Sequence, residues 1–274
     1  INYTMPIASA QVKSCLLLAG LYAQGTTCVT EPAPTRDHTE RMLAGFGYSV
    51  KREGQRICLQ GGGKLQGTFC EVPADISTAA FFMVGASIAQ GSEVLLEHVG
   101  INPTRTGIID ILRQMGANIS LHNQRQVGGE PVADIRVCAS HLQGIKIAKE
   151  QVPLAIDEFP VLFIAAGATV LTGAEELRVK ESDRIAVMAM GLQALGINAQ
   201  PTPDGMVIQG GKMQGGIVIN SHGDHRVAMA FTVAALCAKD TIAIENCANV
   251  ATSCPNFVNL AQAVGMSIQL NGSE

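Results

Sequence analysis

The sequence predicts an α+β (mixed α/β) fold assembled from repeated units, and three observations carry that expectation. Four nearly continuous apolar runs recur along the chain: VKSCLLLAGLYAQG, AAFFMVGASIAQG, VLFIAAGATVLTG and VAMAFTVAALCAKD. Four amphipathic patterns each close on a glycine suited to a left-handed helix-ending position (Gly47, Gly116, Gly196, Gly265), at intervals of roughly 70–80 residues. Short β-like segments separate the two kinds of run. Alternation of this sort defines layered helix-and-sheet architectures.

Each unit opens on a small polar or acidic cluster: ASAQ at 8–11, ADIST at 74–78, IDEFP at 156–160 and HGDHR at 222–226. The apolar run that follows has no polar face, so it reads as a helix buried on all sides. A β-like run comes next, as TTCVTEP, SEVLLEHV, EELRV or TIAIENC. A polar turn then leads into the second helix, as TRDHTERMLAGFG, TRTGIIDILRQMG, KESDRIAVMAMGLQALG or TSCPNFVNLAQAVG. In the third unit Ile185, Met188, Leu192 and Leu195 recur at helical spacing, which predicts a half-exposed helix starting near Glu181. Arg36, Arg105 and Arg184 stand at the mouths of three of these helices. After each terminal glycine the chain turns β-like again, in YSVKR, ANISLH, INAQ and MSIQL, with an extra strand in RICLQG and GMVIQG. The boundary between two domains is expected in GGGKLQGTFCEVP, residues 61–73, where one unit ends and the next begins.

Composition narrows the function classes. The chain has 274 residues, 47% of them hydrophobic, enough for one large or two ordinary domains. Its net charge of −4 gives no reason to expect nucleic acid or an anionic membrane as partner. No apolar stretch of membrane-spanning length lacks a glycine or polar break. The eight cysteines form no CxxC and no zinc-finger spacing, and read as small buried hydrophobes in a reducing cytosol. There is no metal constellation, no P-loop and no dinucleotide fingerprint, and GGGK at 61–64 reads as a hairpin or linker. The chain starts at Ile1 without an initiator Met, which reads as a piece of a longer chain.

Charge, though only 15% of the chain, is concentrated at helix mouths. Lys180, Glu181, Asp183 and Arg184 crowd five positions. Cations at a helix N-terminus oppose the helix dipole at about 0.3–1 kcal/mol each, and a bound anion would reverse the sign. Taken alone, this stretch reads equally well as a self-neutralised surface cluster, with Glu181 and Asp183 pairing with Lys180 and Arg184. Other mouths hold Asp224-His225-Arg226, Asp157-Glu158 with Pro160, Ser9 with Gln11 and Lys13, and Arg36-Asp37-His38. Each has a bland explanation. Asp157 and Asp224 suit N-caps, and Lys13 suits a lysine snorkelling along its helix. Together they supply cations for a multiply anionic substrate, acids and bases for proton transfer, and neutral hydrogen-bond partners.

In their order and spacing, ASAQVKS, TRDHTE, NPTRTG, IDEFPVL, ELRVKESDR, GDHRVAM and ATSCP resemble the 5-enolpyruvylshikimate-3-phosphate synthases (3-phosphoshikimate 1-carboxyvinyltransferases). TRDHTE with ELRVKESDR looks most like the bacterial branch that includes glyphosate-tolerant members. The resemblance runs from about residue 1 to residue 270. It implies transfer of the enolpyruvyl group of phosphoenolpyruvate to the 5-hydroxyl of shikimate 3-phosphate, with release of phosphate, in aromatic amino acid biosynthesis. It implies no metal or organic cofactor, a cytoplasmic monomer when complete, and no nucleic-acid or membrane partner. It also implies six βαβαββ units in two globules that close on the substrates. About four of those units are present, with residues 1–73 the remaining part of the first globule and 74–274 the second.

By motif, the resemblance implies that Ser9, Ala10, Gln11 and Arg36 hold shikimate 3-phosphate, Ser9 and Arg36 near its phosphate. Asp157 and Lys180 would contact its hydroxyls. Arg184 and Arg226 would clamp phosphoenolpyruvate, with His225 beside them. Asp157, Glu181 and Lys180 would be catalytic, Asp157 and Glu181 being the proton-transfer pair. Two departures stand out. Thr252 occupies a place where many members have Lys, and the family's N-terminal substrate motifs are missing. The chain alone is therefore expected to hold an incomplete, inactive site. The rival readings are the related UDP-N-acetylglucosamine enolpyruvyl transferase, a non-catalytic binding module of a larger protein, and a repeat scaffold for protein partners. The last leaves the charged mouths unexplained.

Overall fold

The structure is a computed structural model that describes residues 1–165 and 167–271. Two compact units divide the chain. The first comprises residues 1–73 with 98–105 and 123–133, and the second 74–97, 106–122 and 134–274. Among the described residues no helix is long and apolar enough to cross a membrane.

The first unit holds β1 (Asn2–Thr4), α1 (Ala10–Gly20), β2 (Thr26–Thr30), α2 (His38–Gly45), β3 (Val50–Glu53) and β4 (Arg56–Gln60). The strands order as β1-β2-β4-β3, with β1 parallel to β2 and the other pairs antiparallel. Met5, Leu17, Leu21, Val29, Leu43, Tyr48, Ile57 and Leu59 form its core. α1 lies on β2, so only one of its faces is covered. Val12 and Leu18 stay exposed, against the expectation of a helix buried all round.

The second unit is built from α3 (Ile76–Ile88), β5 (Glu93–Gly100), α4 (Gly107–Gln114), β6 (Asn118–Val127) and β7 (Glu130–Cys138), the last residues of β5 and parts of β6 and β7 belonging to the first. It continues with α5 (Phe159–Ala165), β8 (Thr169–Leu171), α6 (Arg184–Ala194), β9 (Asn198–Thr202) and β10 (Gly205–Gln209). β11 (Ile217–Asn220), α7 (His225–Ala234), β12 (Ile242–Glu245), α8 (Val250–Ser253) and α9 (Phe257–Ala263) complete it. Here the apolar-run helices behave as expected. α3, α5 and α7 pack on one another, which explains why α5 is buried throughout and α3 nearly so. α6 presses close to α7: a β-carbon on Gly191 would lie 2.1 Å from the Phe231 ring, so only glycine fits.

The repeat is visible as β-α-β-α-β-β in β1 to β4, and a parallel bridge of Lys146 to Val170 stands in for the opening strand of the third unit. The second helices end alike. Gly47, Gly116, Gly196 and Gly265 all take positive φ, between 74° and 97°. Each glycine N–H donates to the carbonyl three residues back, and the following N–H to the carbonyl five back: Gly47 and Tyr48 bond Ala44 and Leu43, and Gly196 and Ile197 bond Gln193 and Leu192. This double bond satisfies orphan carbonyls and turns the chain off the helix axis, and a β-carbon there costs about 1–2 kcal/mol.

Several expectations fail for tertiary reasons. EELRV is a 3-10 turn, Glu175–Val179, not a strand, and the strand is the preceding β8, which pairs with β10. MSIQL forms no strand, since none of its described residues finds a ladder partner. α6 begins at Arg184 rather than Glu181, because Asp183 caps it by accepting from Ala186 N–H. The cysteines are not uniformly buried thiols. β2 and β4 place Cys28 directly opposite Cys58, their Cα atoms 4.1 Å apart, and the pair is a disulfide, while Cys15, Cys70 and Cys237 are exposed.

Candidate active site

The charged mouth of α6 is built around a buried guanidinium. Arg184 is 1% exposed. Its Nε donates to Asp224 Oδ2 at 2.9 Å and its NH2 to Glu181 Oε2 at 2.5 Å, while NH1 reaches Asp157 Oδ1 at 3.5 Å. One guanidinium thus joins three carboxylates from three segments of the second unit. Lys180 reaches Asp157 at 3.7 Å and pairs with Glu176, and Asp183 turns instead to Arg178 at 2.6 Å. The expected local pairing therefore holds for Glu181 with Arg184 and fails for Asp183.

Asp224 is the anchor. It is fully buried, caps α7 by accepting from the N–H groups of Arg226 and Val227, and takes a further bond from Ser182 Oγ at 3.0 Å. Burial pushes its carboxyl up, but the Arg184 guanidinium, the Arg226 N–H and the Ser182 hydroxyl outweigh that and hold it below the usual carboxylate range. Asp157 faces Lys180 and Arg184. Its neighbour Glu158 is 2% exposed and hydrogen-bonded to Ser77 in the first turn of α3, which fixes the IDEFP segment.

Next to Asp224, His225 and Arg226 line a cavity of about 250 Å³ with Asp75, Thr78 and Ser253. Burial, then the Arg226 charge, holds the His225 imidazole below its ordinary value and favours the neutral ring. Asp75, which caps α3 through Thr78 N–H, and Ser253 are wall residues that motif reading did not single out. The ADIST opening carried the signal for Asp75, and the ATSCP motif that for Ser253. Thr252, beside Ser253 on α8, is exposed.

In the first unit, Ser9 caps α1 by accepting from Val12 N–H at 3.3 Å, with Ala10 and Gln11 opening the helix beside it. Arg36 lies half-buried in the turn before α2. Asp37 accepts from Arg41 Nε at 2.9 Å and Asn102 Nδ2 at 2.7 Å, and these bonds overcome burial to hold its carboxyl below the usual range. Lys13 does not snorkel: it is fully buried, with its Nζ 3.1 Å from Glu31 and 2.8 Å from Glu40. Ser9, Ala10, Gln11 and Arg36 thus belong to the first unit, and Asp157, Lys180, Glu181, Arg184, His225 and Arg226 to the second.

Known proteins match this chain over nearly its whole length. A family model described as EPSP synthase (3-phosphoshikimate 1-carboxyvinyltransferase) matches residues 1–260. A 3-phosphoshikimate 1-carboxyvinyltransferase of Methylococcus capsulatus is 68% identical, covering 99% of this chain and 63% of the relative. One of Nitrosococcus oceani is 70% identical over 98% of this chain and 61% of the relative. The solved EPSP synthase of Acinetobacter baumannii superposes with a TM-score of 0.95 at 58% identity, covering 99% of this chain and 64% of that one. The chain spans about three-fifths of the length of the curated relatives it matches. With its βαβαββ repeats and these matches, the chain belongs to the EPSP synthase family.

Proposed function

We propose that this chain carries much of the substrate-binding and proton-transfer apparatus of a carboxyvinyl transferase. The reaction moves the enolpyruvyl group of phosphoenolpyruvate to the 5-hydroxyl of shikimate 3-phosphate and releases phosphate. The supporting observation is Arg184, a buried guanidinium held from behind by Asp224 and joined to Asp157 and Glu181. Such a junction sets fixed cations beside two carboxylates able to exchange protons.

In this reading a carboxylate takes the proton of the 5-hydroxyl as its oxygen bonds C2 of phosphoenolpyruvate, while an acid delivers a proton to C3. Asp157 and Glu181 fill these roles, and Lys180 steadies Asp157 and the substrate hydroxyls. Loss of a C3 proton and cleavage of the bond from C2 to the phosphate oxygen then give the enol ether and free phosphate. Arg184, Arg226 and His225 hold the phosphoenolpyruvate anion, and Ser9, Ala10, Gln11 and Arg36 hold shikimate 3-phosphate. An incoming anion competes for Arg184 with Glu181, half-exposed, rather than with buried Asp224. On the family resemblance, the setting is the cytoplasm, the active species a monomer, and residues 1–73 and 74–274 parts of two substrate-binding globules.

Phosphate release from the two substrates tests the reading, measured on this chain and on a chain lengthened to its relatives' full span. Release by the longer chain, with Asp157→Ala lowering kcat more than it raises KM, is the expected result. No release from either folded protein would overturn it.

A further inference from the structure

The Lys13 ammonium gathers three segments of the first unit. Lys13 sits one turn into α1, its backbone N–H bonded to the Ser9 carbonyl at 3.1 Å. Its Nζ donates to Glu31 Oε2 at 3.1 Å, just beyond the end of β2. It also lies 2.8 Å from Glu40 in the first turn of α2, an ion pair without a well-aligned hydrogen bond. Arg52 of β3 adds a second cation, 2.6 Å from Glu31 and 3.8 Å from Glu40. Glu31 itself, fully buried, accepts from Thr35 N–H at 3.2 Å and Thr35 Oγ1 at 2.7 Å. The turn from 31 to 35 therefore closes on one carboxylate immediately before Arg36. Thr39 Oγ1, donating to Ser14 Oγ at 2.7 Å, ties α2 to α1 a second time.

A cluster that buries one ammonium and two carboxylates, with Arg52 at its exposed edge, is a poor device for stability alone, because well-packed apolar side chains generally do as well. Its distinct property is direction: hydrogen-bonded charges specify where each segment lies. The segments joined are those that carry Ser9 and Gln11 on α1 and Arg36 before α2. We propose that Lys13 and Glu31 are positioning residues for the phosphate monoester site, setting Arg36 in register with the Ser9–Gln11 helix mouth. The inference rests on the assignment of Ser9, Gln11 and Arg36 to shikimate 3-phosphate made above.

The experiment is calorimetric titration of this chain with shikimate 3-phosphate, for the parent, Glu31→Gln, Arg36→Ala and the double variant. Thermal melts confirm folding. Losing one charge-assisted contact is worth about tenfold in affinity, so each single variant is expected to bind about tenfold more weakly. The double variant should lose no more than Arg36→Ala alone, since Glu31 acts through Arg36. Parent-like binding by Glu31→Gln, or losses that multiply in the double variant, would overturn the proposal. If Glu31→Gln does not fold, Thr35→Ala, which removes only the hydroxyl bond to Glu31, takes its place in the same cycle. Amide hydrogen exchange at Thr35 to His38 separates this inference from the ligand assignment. If the parent binds no shikimate 3-phosphate, the assignment fails. Faster exchange confined to these amides in Glu31→Gln still supports positioning, and unchanged exchange overturns it.

Discussion

Two buried cations, Lys13 in the first unit and Arg184 in the second, sit in the opening turns of their helices among carboxylates, yet their surroundings differ. The carboxylates on Lys13 are closed off, Glu31 at 0% and Glu40 at 10% side-chain exposure, and Arg52 completes the balance of charge. The carboxylates on Arg184 are graded, from Asp224 at 0% through Asp157 at 15% to Glu181 at 50%. In the first arrangement neither carboxylate is more than 10% exposed, and the solvent-facing member is the Arg52 cation at 39%, as suits a clasp. The second is anchored at one end and open at the other, so its solvent-facing partner can yield to a ligand. Burial of a charge does not by itself mark an active site; a gradient of exposure among its partners is the more informative feature.

The largest break in this comparison should come from Lys13→Met. It leaves Glu31 and Glu40 buried without their ammonium, an uncompensated charge that costs about 3–5 kcal/mol. Urea unfolding measures it, and a loss below about 1 kcal/mol would mean the clasp relaxes to admit water. Asp224→Asn should cost somewhat less, about 3 kcal/mol, because the amide still accepts hydrogen bonds. It also has a pH signature. The Asp224 carboxyl lies below its ordinary value in the folded state, so its stabilisation is present above about pH 4 and drains as pH falls through the lower folded value. The variant's stability should fall less steeply across that acid window, and an equally steep curve would assign the acid loss to other carboxylates.

Glu181→Gln tests the open end. An ion pair whose carboxylate is half-exposed contributes at most about 1 kcal/mol, so melting should change little. In the lengthened, active chain kcat should drop while phosphoenolpyruvate binds as well or better, because a competitor for Arg184 has been neutralised; weaker binding would place Glu181 on the ligand's side. The smallest effect belongs to His225→Gln. The imidazole is held below its ordinary value of 6.5, so its contribution is intact above that pH and is lost as pH falls toward the folded value. The variant should flatten the stability curve just below pH 6.5, and an unchanged curve there would remove His225 from the balance.

Local physics made much of this molecule legible from its residues. A helix end needs a glycine at a left-handed position and a mouth needs a cap, and both lie within a few residues of the helix, so Gly47, Gly116, Gly196 and Gly265 and the Asp224 cap could be read directly. The apolar runs of α3, α5 and α7 foretold burial because no polar face interrupts them. What the chain order could not supply was partner choice over distance. Asp224 meets Arg184 across 40 residues, Glu31 meets Lys13 across 18, and Cys28 faces Cys58 only once β2 and β4 are in register. EELRV and MSIQL carry β-like composition, but a strand exists only where another strand offers its hydrogen bonds. The sequence determined which charges stand at the helix mouths; the tertiary structure decided which became clasp and which remained open, because desolvation depends on everything packed around a group.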